Sequence, residues 1–227
     1  MTLDLQMPNI QIHHYRLNRT DYQAEQHFPI LSNEEQHRTA RFINEADRVR
    51  YVCVHRFLRM KLAEQLGVLP KEIVLSKNGF GKPYVASPQP SPSGEGECRT
   101  HFNLSYRSDF ALLAIADREV GIDIEQVRTI FDVDAFCSSY FHHNEKAIID
   151  QALPSEQADT IFTFWAFKEA FVKCLGIGFS RDLTEFDLSA FYHSPTHELL
   201  WWNGEIFTIE RIEVVDGYVG AVAYKNQ

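Results

Sequence analysis

No run of eighteen apolar residues occurs in the 227-residue chain, so no membrane-spanning helix is expected. The opening Met1-Thr2-Leu3-Asp4-Leu5-Gln6 lacks the basic-then-apolar layout of a secretory signal, and none is expected. Cysteine is scarce and scattered. Cys53, Cys98, Cys137 and Cys174 form no C-x-x-C pair and read as reduced thiols of a cytoplasmic protein, with Cys53 and Cys174 as helix packing residues. The doublets His13-His14 and His142-His143 have no third ligand at zinc-site spacing. Low complexity is confined to residues 88–96, an expected exposed loop that reads as a tolerated insertion or a partner contact. What remains is a globular composition, 44% hydrophobic, long enough for one large domain or two small ones.

The net charge of −9 is unevenly placed. Residues 1–117 hold 14 Lys and Arg against 13 Asp and Glu, whereas residues 118–227 hold 8 against 18. The basic excess is concentrated at Arg38, Arg41, Arg48, Arg50, Arg56, Arg59 and Lys61, with only Glu45 and Asp47 between them. A basic segment inside an acidic protein suggests a local anion site and excludes a general nucleic-acid surface.

Hydrophobic periodicity predicts an α+β chain. Ile10-Gln11-Ile12-His13-His14-Tyr15 alternates as a strand, and Ser32 is placed to cap a short helix reaching Arg41. Val49, Val52, Cys53, Phe57, Met60 and Leu66 form a stripe at helical spacing over residues 46–65, with Gly67 as the stop. Strands are predicted over 73–75 and 82–85 around a turn at Lys77-Asn78-Gly79, and over 110–116, followed by a turn at Asp117-Arg118. The second half repeats the rhythm: a strand at 120–125, helices near 133–140, 144–152 and 156–175, then strands near 185–188, 199–202, 206–211 and 218–224.

Two segments carry the chemistry. In Val120-Gly121-Ile122-Asp123-Ile124-Glu125 the period of two sends the apolar residues one way and Asp123 and Glu125 the other, with Gly121 expected to leave open space beside them. Adjacent carboxylates repel, and a shared cation relieves the repulsion. In Trp165-Ala166-Phe167-Lys168-Glu169-Ala170-Phe171-Val172-Lys173, Glu169 and Lys173 share a helix face. Packed over the strand, that helix would add a third carboxylate and an ammonium, a set suited to metal-assisted chemistry on a phosphate.

G-[I/V]-D-x-E followed some forty residues later by W-x-x-K-E-x-x-x-K resembles the signature of the phosphopantetheinyl transferases, and the chain length that of their Sfp-type branch. Gly79-Phe80-Gly81-Lys82-Pro83-Tyr84, Phe102-Asn103-Leu104-Ser105, Gly176-Ile177-Gly178-Phe179-Ser180 and, more weakly, Asp216-Gly217-Tyr218 follow in the family's order, so the likeness spans about residues 34 to 223. The resemblance implies two similar α+β lobes about a pseudo-twofold axis, each a small antiparallel sheet with a packed long helix. Residues 1–117 would contribute nucleotide binding and residues 118–227 the metal and catalytic groups, with the active site between them in a monomer.

It also implies a reaction: phosphopantetheine passes from coenzyme A to a serine of an apo acyl or peptidyl carrier protein, releasing adenosine 3′,5′-bisphosphate. Asp123 and Glu125 would hold Mg²⁺, with Mn²⁺ as a substitute. Glu169 would be a third ligand or the base for the serine proton, and Lys173 would stabilise the departing pyrophosphate charge. Lys82 and Pro83 would meet the nucleotide, Arg38 and Arg50 the 3′-phosphate, and Ser105 a phosphate. Two departures stand out: Tyr106 replaces the His of many relatives, which shifts weight to Arg107, and Glu35 stands where a lysine is expected. The alternatives are a metal-dependent nucleotide pyrophosphatase and a non-catalytic carrier-binding relative. Neither nucleic acid nor membrane is an expected partner.

Overall fold

The elements follow the hydrophobic periodicity. A computed structural model describes residues 9–17, 24–86, 100–178, 180–193 and 199–226; the opening hexapeptide, the 88–96 loop and Cys98 lie outside the described residues. The first half runs β1 (Ile10–Arg16), α1 (Asn33–Thr39), α2 (Glu45–Leu66), β2 (Leu75–Lys77), β3 (Pro83–Val85), β4 (His101–Arg107) and β5 (Phe110–Ala116). The second runs β6 (Val120–Gln126), α3 (Val133–Tyr140), α4 (His143–Gln151), α5 (Gln157–Leu175), α6 (Ser189–His193), β7 (Leu200–Trp202), β8 (Glu205–Ile212) and β9 (Tyr218–Lys225). Helix ends sit where local chemistry puts them. Ser32 and Glu35 form a reciprocal capping box on α1, Asn44 caps α2, and Gly67 closes α2 in the left-handed region at φ 68°.

Two antiparallel sheets result, β1-β5-β4 and β6-β9-β8-β7, with β2 and β3 as a separate ribbon. Both faces of β5 are buried. Leu113 and Ile115 pack with Phe57, Leu58 and Leu62 of α2, while Leu112, Ala114 and Ala116 meet Val120, Ile122 and Ile124 of β6 in a core shared by both sheets. The largest core surrounds α5, whose Phe164, Phe167 and Phe171 are buried with Phe186, Phe191 and Phe207. The chain is thus two α+β lobes, each an antiparallel sheet carrying one long helix, joined by the β5–β6 connection.

The edge strands β4 and β6 face each other without a backbone ladder. Asn103 Oδ1 accepts from the Ile122 N–H at 2.9 Å, and Ser105 Oγ accepts from the Ile124 N–H at 3.4 Å, so two side chains satisfy donors that an edge strand leaves unpaired.

Two expectations are corrected and one strand is added. Residues 185–188 are not a strand: Asp182 and Asp187 accept from the backbone N–H groups of Thr184 and Ser189, and these local bonds favour a 3-10 turn at Leu183–Glu185 followed by α6. Met60 is exposed, because the buried face of α2 turns through Leu58 and Leu62 instead. β4, whose F-N-L-S stood out only as a motif, is a full strand paired with β5 along its length. The tryptophan doublet divides as alternation requires, with Trp201 exposed and Trp202 set edge-on against Phe186.

Candidate active site

Gly121, Asp123 and Glu125 share the β6 face that looks toward α5, and Gly121 sets the distance between the two. A Cβ built at Gly121 would lie 2.0 Å from the Ala170 carbonyl oxygen and 2.3 Å from the Cys174 nitrogen. The space expected beside the acids is therefore filled by helix backbone. Only glycine lets α5 approach this closely, and the approach brings Glu169 and Lys173, each next to one of those contacts in sequence, over the carboxylates.

Lys173 Nζ donates to Asp123 Oδ1 at 2.5 Å and to Ser105 Oγ at 3.2 Å, while the Ser105 hydroxyl donates to the same Asp123 oxygen at 2.8 Å. Glu169 Oε2 lies 3.9 Å from Lys173 Nζ, an ion pair too long for a hydrogen bond. Glu125 receives the Trp165 indole N–H on Oε1 at 3.3 Å and faces the Arg107 guanidinium with Oε2 at 3.2 Å. Two carboxylate oxygens, Asp123 Oδ2 and Glu125 Oε2, are buried without a hydrogen-bond partner.

The electrostatics follow from this crowding. Burial, opposed by Lys173 and reinforced by Asp123 and Glu125, pushes Glu169 up to about 7. Burial and then the Asp123 charge also raise Glu125, against Arg107. Among the described residues, no three His, Cys, Asp or Glu side chains stand assembled as a metal site. Lys173 holds Asp123, and the Arg107 guanidinium lies beside Glu125. The donor set nevertheless fits a hard divalent ion, since two buried carboxylate oxygens without hydrogen-bond partners, two residues apart on one strand face, are the ligands such an ion takes.

The expected coenzyme A residues are dispersed. Ser105 belongs to the carboxylate cluster. Arg38 lies over the Tyr51 ring at 5.2 Å, Tyr51 is stacked on His55, and Tyr106 is partly exposed. Arg50 is drawn into structure, donating to the Ser108 carbonyl at 2.7 Å and to Asp47 at 2.5 Å. Lys82 is likewise engaged: its ammonium donates to Glu119 at 2.8 Å and to the carbonyls of Cys174 and Val120 at 2.9 and 3.2 Å. Pro83 lies beside it on a cleft of about 720 Å³ whose walls include Tyr84, Phe102, Glu119 and Leu175. A second cavity, of about 490 Å³, opens at the other end of β6 beside Arg107, Glu125, Arg128 and Trp165.

Glu35 is a structural keystone. It accepts from His55, Arg59 and the Ser32 N–H, and although burial alone would raise its carboxyl, the His55 and Ser32 hydrogen bonds and the Arg59 charge hold it down at about 2. The carboxylate thus stabilises the α1–α2 packing. His142 serves as the N-cap of α4. Residues that sequence reasoning passed over are Asn103, Asn78 and Glu119. All three lie within or beside quoted motifs, but their roles depend on a strand–strand approach that no periodicity reveals.

Residues 119–223 match the family model described as the 4'-phosphopantetheinyl transferase superfamily, and residues 16–118 match that of the 4'-phosphopantetheinyl transferase N-terminal region. The chain belongs to the phosphopantetheinyl transferase superfamily, in its Sfp-type branch. It is 31% identical to the 4'-phosphopantetheinyl transferase psf-1 of Bacillus pumilus over 78% of this chain and 73% of that one. It is 28% identical to HetI of a Nostoc strain over 94% and 87%, and 27% identical to gsp of Aneurinibacillus migulanus over 83% and 73%. A solved holo-[acyl-carrier-protein] synthase from Thermotoga maritima covers 48% of this chain and 63% of its own, at 20% identity and a TM-score of 0.34; the assignment does not rest on it.

Proposed function

We propose that this protein transfers phosphopantetheine from coenzyme A to a serine of an apo acyl or peptidyl carrier protein, releasing adenosine 3′,5′-bisphosphate. The observation that carries this reading is the Lys173–Ser105–Asp123 cluster beside Glu125 and Glu169, with two carboxylate oxygens unsatisfied, in a chain of this family. The serine Oγ forms a bond to the β-phosphorus as the bridging P–O bond breaks, and the serine proton needs an acceptor. Glu169, raised to about 7, is ionised in part at neutral pH and basic enough to take it at a carboxylate oxygen. Lys173 neutralises charge on the pyrophosphate as the nucleotide departs. Asp123 and Glu125 would hold Mg²⁺, or Mn²⁺ in its place, which when bound supplies charge neutralisation at phosphate oxygens.

In this reading residues 1–117 form the lobe that binds the nucleotide and residues 118–227 the lobe that carries the acid groups. Arg50, Arg38 and Tyr106 would meet the 3′-phosphate, and one chain with both lobes acts as a cytoplasmic monomer. Among the described residues no helix is long and apolar enough to cross a membrane.

The test is the intact mass of an apo carrier protein incubated with this protein, coenzyme A and Mg²⁺, against an EDTA control. A metal-dependent gain of one phosphopantetheine is expected. Coenzyme A cleaved without carrier modification would instead support a pyrophosphatase, and unchanged masses across several unrelated carriers would support a non-catalytic relative.

A further inference from the structure

The last turn of α5 leaves carbonyls that no helical N–H can reach, and here the opposite lobe satisfies them. Lys82 donates to the Cys174 carbonyl at 2.9 Å, and Asn78 Nδ2 donates to the Gly176 carbonyl at 2.8 Å. A cation at a helix C-terminus also complements the negative end of the helix dipole. The same ammonium reaches the start of β6, through the Glu119 carboxylate at 2.8 Å and the Val120 carbonyl at 3.2 Å. All three Nζ donors therefore have acceptors, every one of them in the second lobe.

Asn78 is built for this task. Its Oδ1 accepts from the backbone N–H groups of Phe80 and Lys82, both at 2.9 Å, and so folds the turn that presents Lys82. The fit leaves no room for a larger cap: a Cβ on Gly176, at φ 66°, would lie 2.9 Å from the Lys82 stem and 3.0 Å from Asn78 Nδ2. Glu119 is held by a hydrogen bond from His101 and by the Lys82 charge, which together bring its carboxyl down to about 2 against burial.

We infer that Asn78, Lys82 and Glu119 act as one bolt that fixes the end of α5 to the start of β6, and that they are positioning residues for Lys173. Lys173 immediately precedes Cys174, and Asp123 lies four residues along β6 from Glu119. With the bolt removed the last turn of α5 frays, and the Lys173 ammonium loses its place on Asp123 and on the pyrophosphate. Lys82 then acts on the rate of transfer and leaves the affinity for coenzyme A to other groups. This inference rests on the proposed function for its kinetic consequence and on geometry alone for its structural one.

The test uses the full chain with Lys82→Met, Glu119→Gln, the double variant and Asn78→Ala, assayed well below the melting temperature of the weakest. Transfer at saturating coenzyme A and carrier should fall about 10- to 100-fold in each, the scale set by a misplacement of about 1 Å. Coenzyme A affinity by calorimetry should stay within about threefold, and the double variant should be little worse than Lys82→Met alone, in both rate and urea midpoint. A tenfold loss of coenzyme A affinity in Lys82→Met with the saturated rate kept would make Lys82 a nucleotide ligand and overturn the bolt. Lowered urea midpoints with unchanged rates would reduce it to a structural contact and overturn the positioning role, and additive losses in the double variant would overturn the unit. Were the wild type inactive toward every carrier, the proposed function would fall, while the urea cycle would still decide whether the residues act together.

Discussion

Helix α5 carries two lysines five residues apart, each paired with a carboxylate, and the two pairs differ in one respect. Lys168 is fully buried and donates to the Leu183 carbonyl at 2.8 Å and the Phe186 carbonyl at 2.7 Å, with Glu145 Oε2 at 2.9 Å. Glu145 in turn accepts from the backbone N–H groups of His142 and Leu188. Every donor and acceptor is satisfied, and burial acts only to raise Glu145 and lower Lys168 toward their neutral forms. Lys173 keeps about a quarter of its side-chain surface, makes two hydrogen bonds, and faces an aspartate whose second oxygen is buried without a partner. The saturated pair holds the lobe together. The unsatisfied one has capacity left for a substrate and a metal, and that capacity marks the site.

The comparison can be broken at its open end first. Asp123→Ala removes a metal ligand and the anchor of Lys173, and transfer should fall by about 10³-fold or more. The fold should survive, because the variant also relieves like-charge crowding with Glu125 and Glu169. Circular dichroism melts beside the carrier mass assay check this, and full activity with Mg²⁺ present would remove the aspartate from the mechanism.

At the closed end the effect falls on stability. Lys168→Met strands Glu145 in the core, where breaking a buried pair costs about 3–5 kcal/mol. Urea unfolding should show that loss. Adding Glu145→Leu should restore much of it, because the two apolar side chains leave no uncompensated charge. A double variant as unstable as the single would mean that Glu145 matters chiefly through its hydrogen bond to the N-cap His142 of α4.

Gly121→Ala tests the approach that separates the two ends. Its methyl must displace helix backbone, and overpacking of this kind costs about 1–3 kcal/mol. The helix moves away from β6 near Lys173 while Lys168, on the far side of the clash, keeps its partners. Transfer should therefore fall further than stability explains, as read by rate at saturating substrates beside the urea midpoint.

Much of the architecture was legible in the sequence because period-two and period-3.6 patterns report burial directly. The alternation of Val120, Ile122 and Ile124 against Asp123 and Glu125 carries the face assignment unaided, and the Glu169–Lys173 spacing carries the helix face. Contacts between elements far apart in the chain were not legible. Lys82 reads as a nucleotide-binding lysine and Glu35 stands where a lysine is expected; no periodicity reports that the first also closes the end of a helix 92 residues away or that the second locks α1 to α2. Gly121 reads as open space because a missing side chain looks the same whether the gap is empty or filled by another backbone. Within the F-N-L-S motif only Ser105 carries a sequence expectation, and nothing local reveals that Asn103 joins two sheet edges.

The finest test of the open site is its proton. Glu169 has an ordinary value of 4.5 and about 7 in the fold. Below pH 4.5 it is protonated in both folded and unfolded chains, and its favourable contribution is fully present. Between 4.5 and 7 the folded protein binds more protons than the unfolded chain, so stability falls as pH rises, and above about 7 the contribution is lost. Glu169→Gln should flatten this part of the profile and, at pH 8, raise stability on the order of 1 kcal/mol, since water near the half-open site reduces the full effect. Mg²⁺ separates the two roles left open for this carboxylate. If Glu169 is a metal ligand, added Mg²⁺ at pH 8 should raise the melting temperature of the wild type more than that of Glu169→Gln. If it serves only as the base, both proteins should gain equally, and the variant should lose transfer while keeping its metal response.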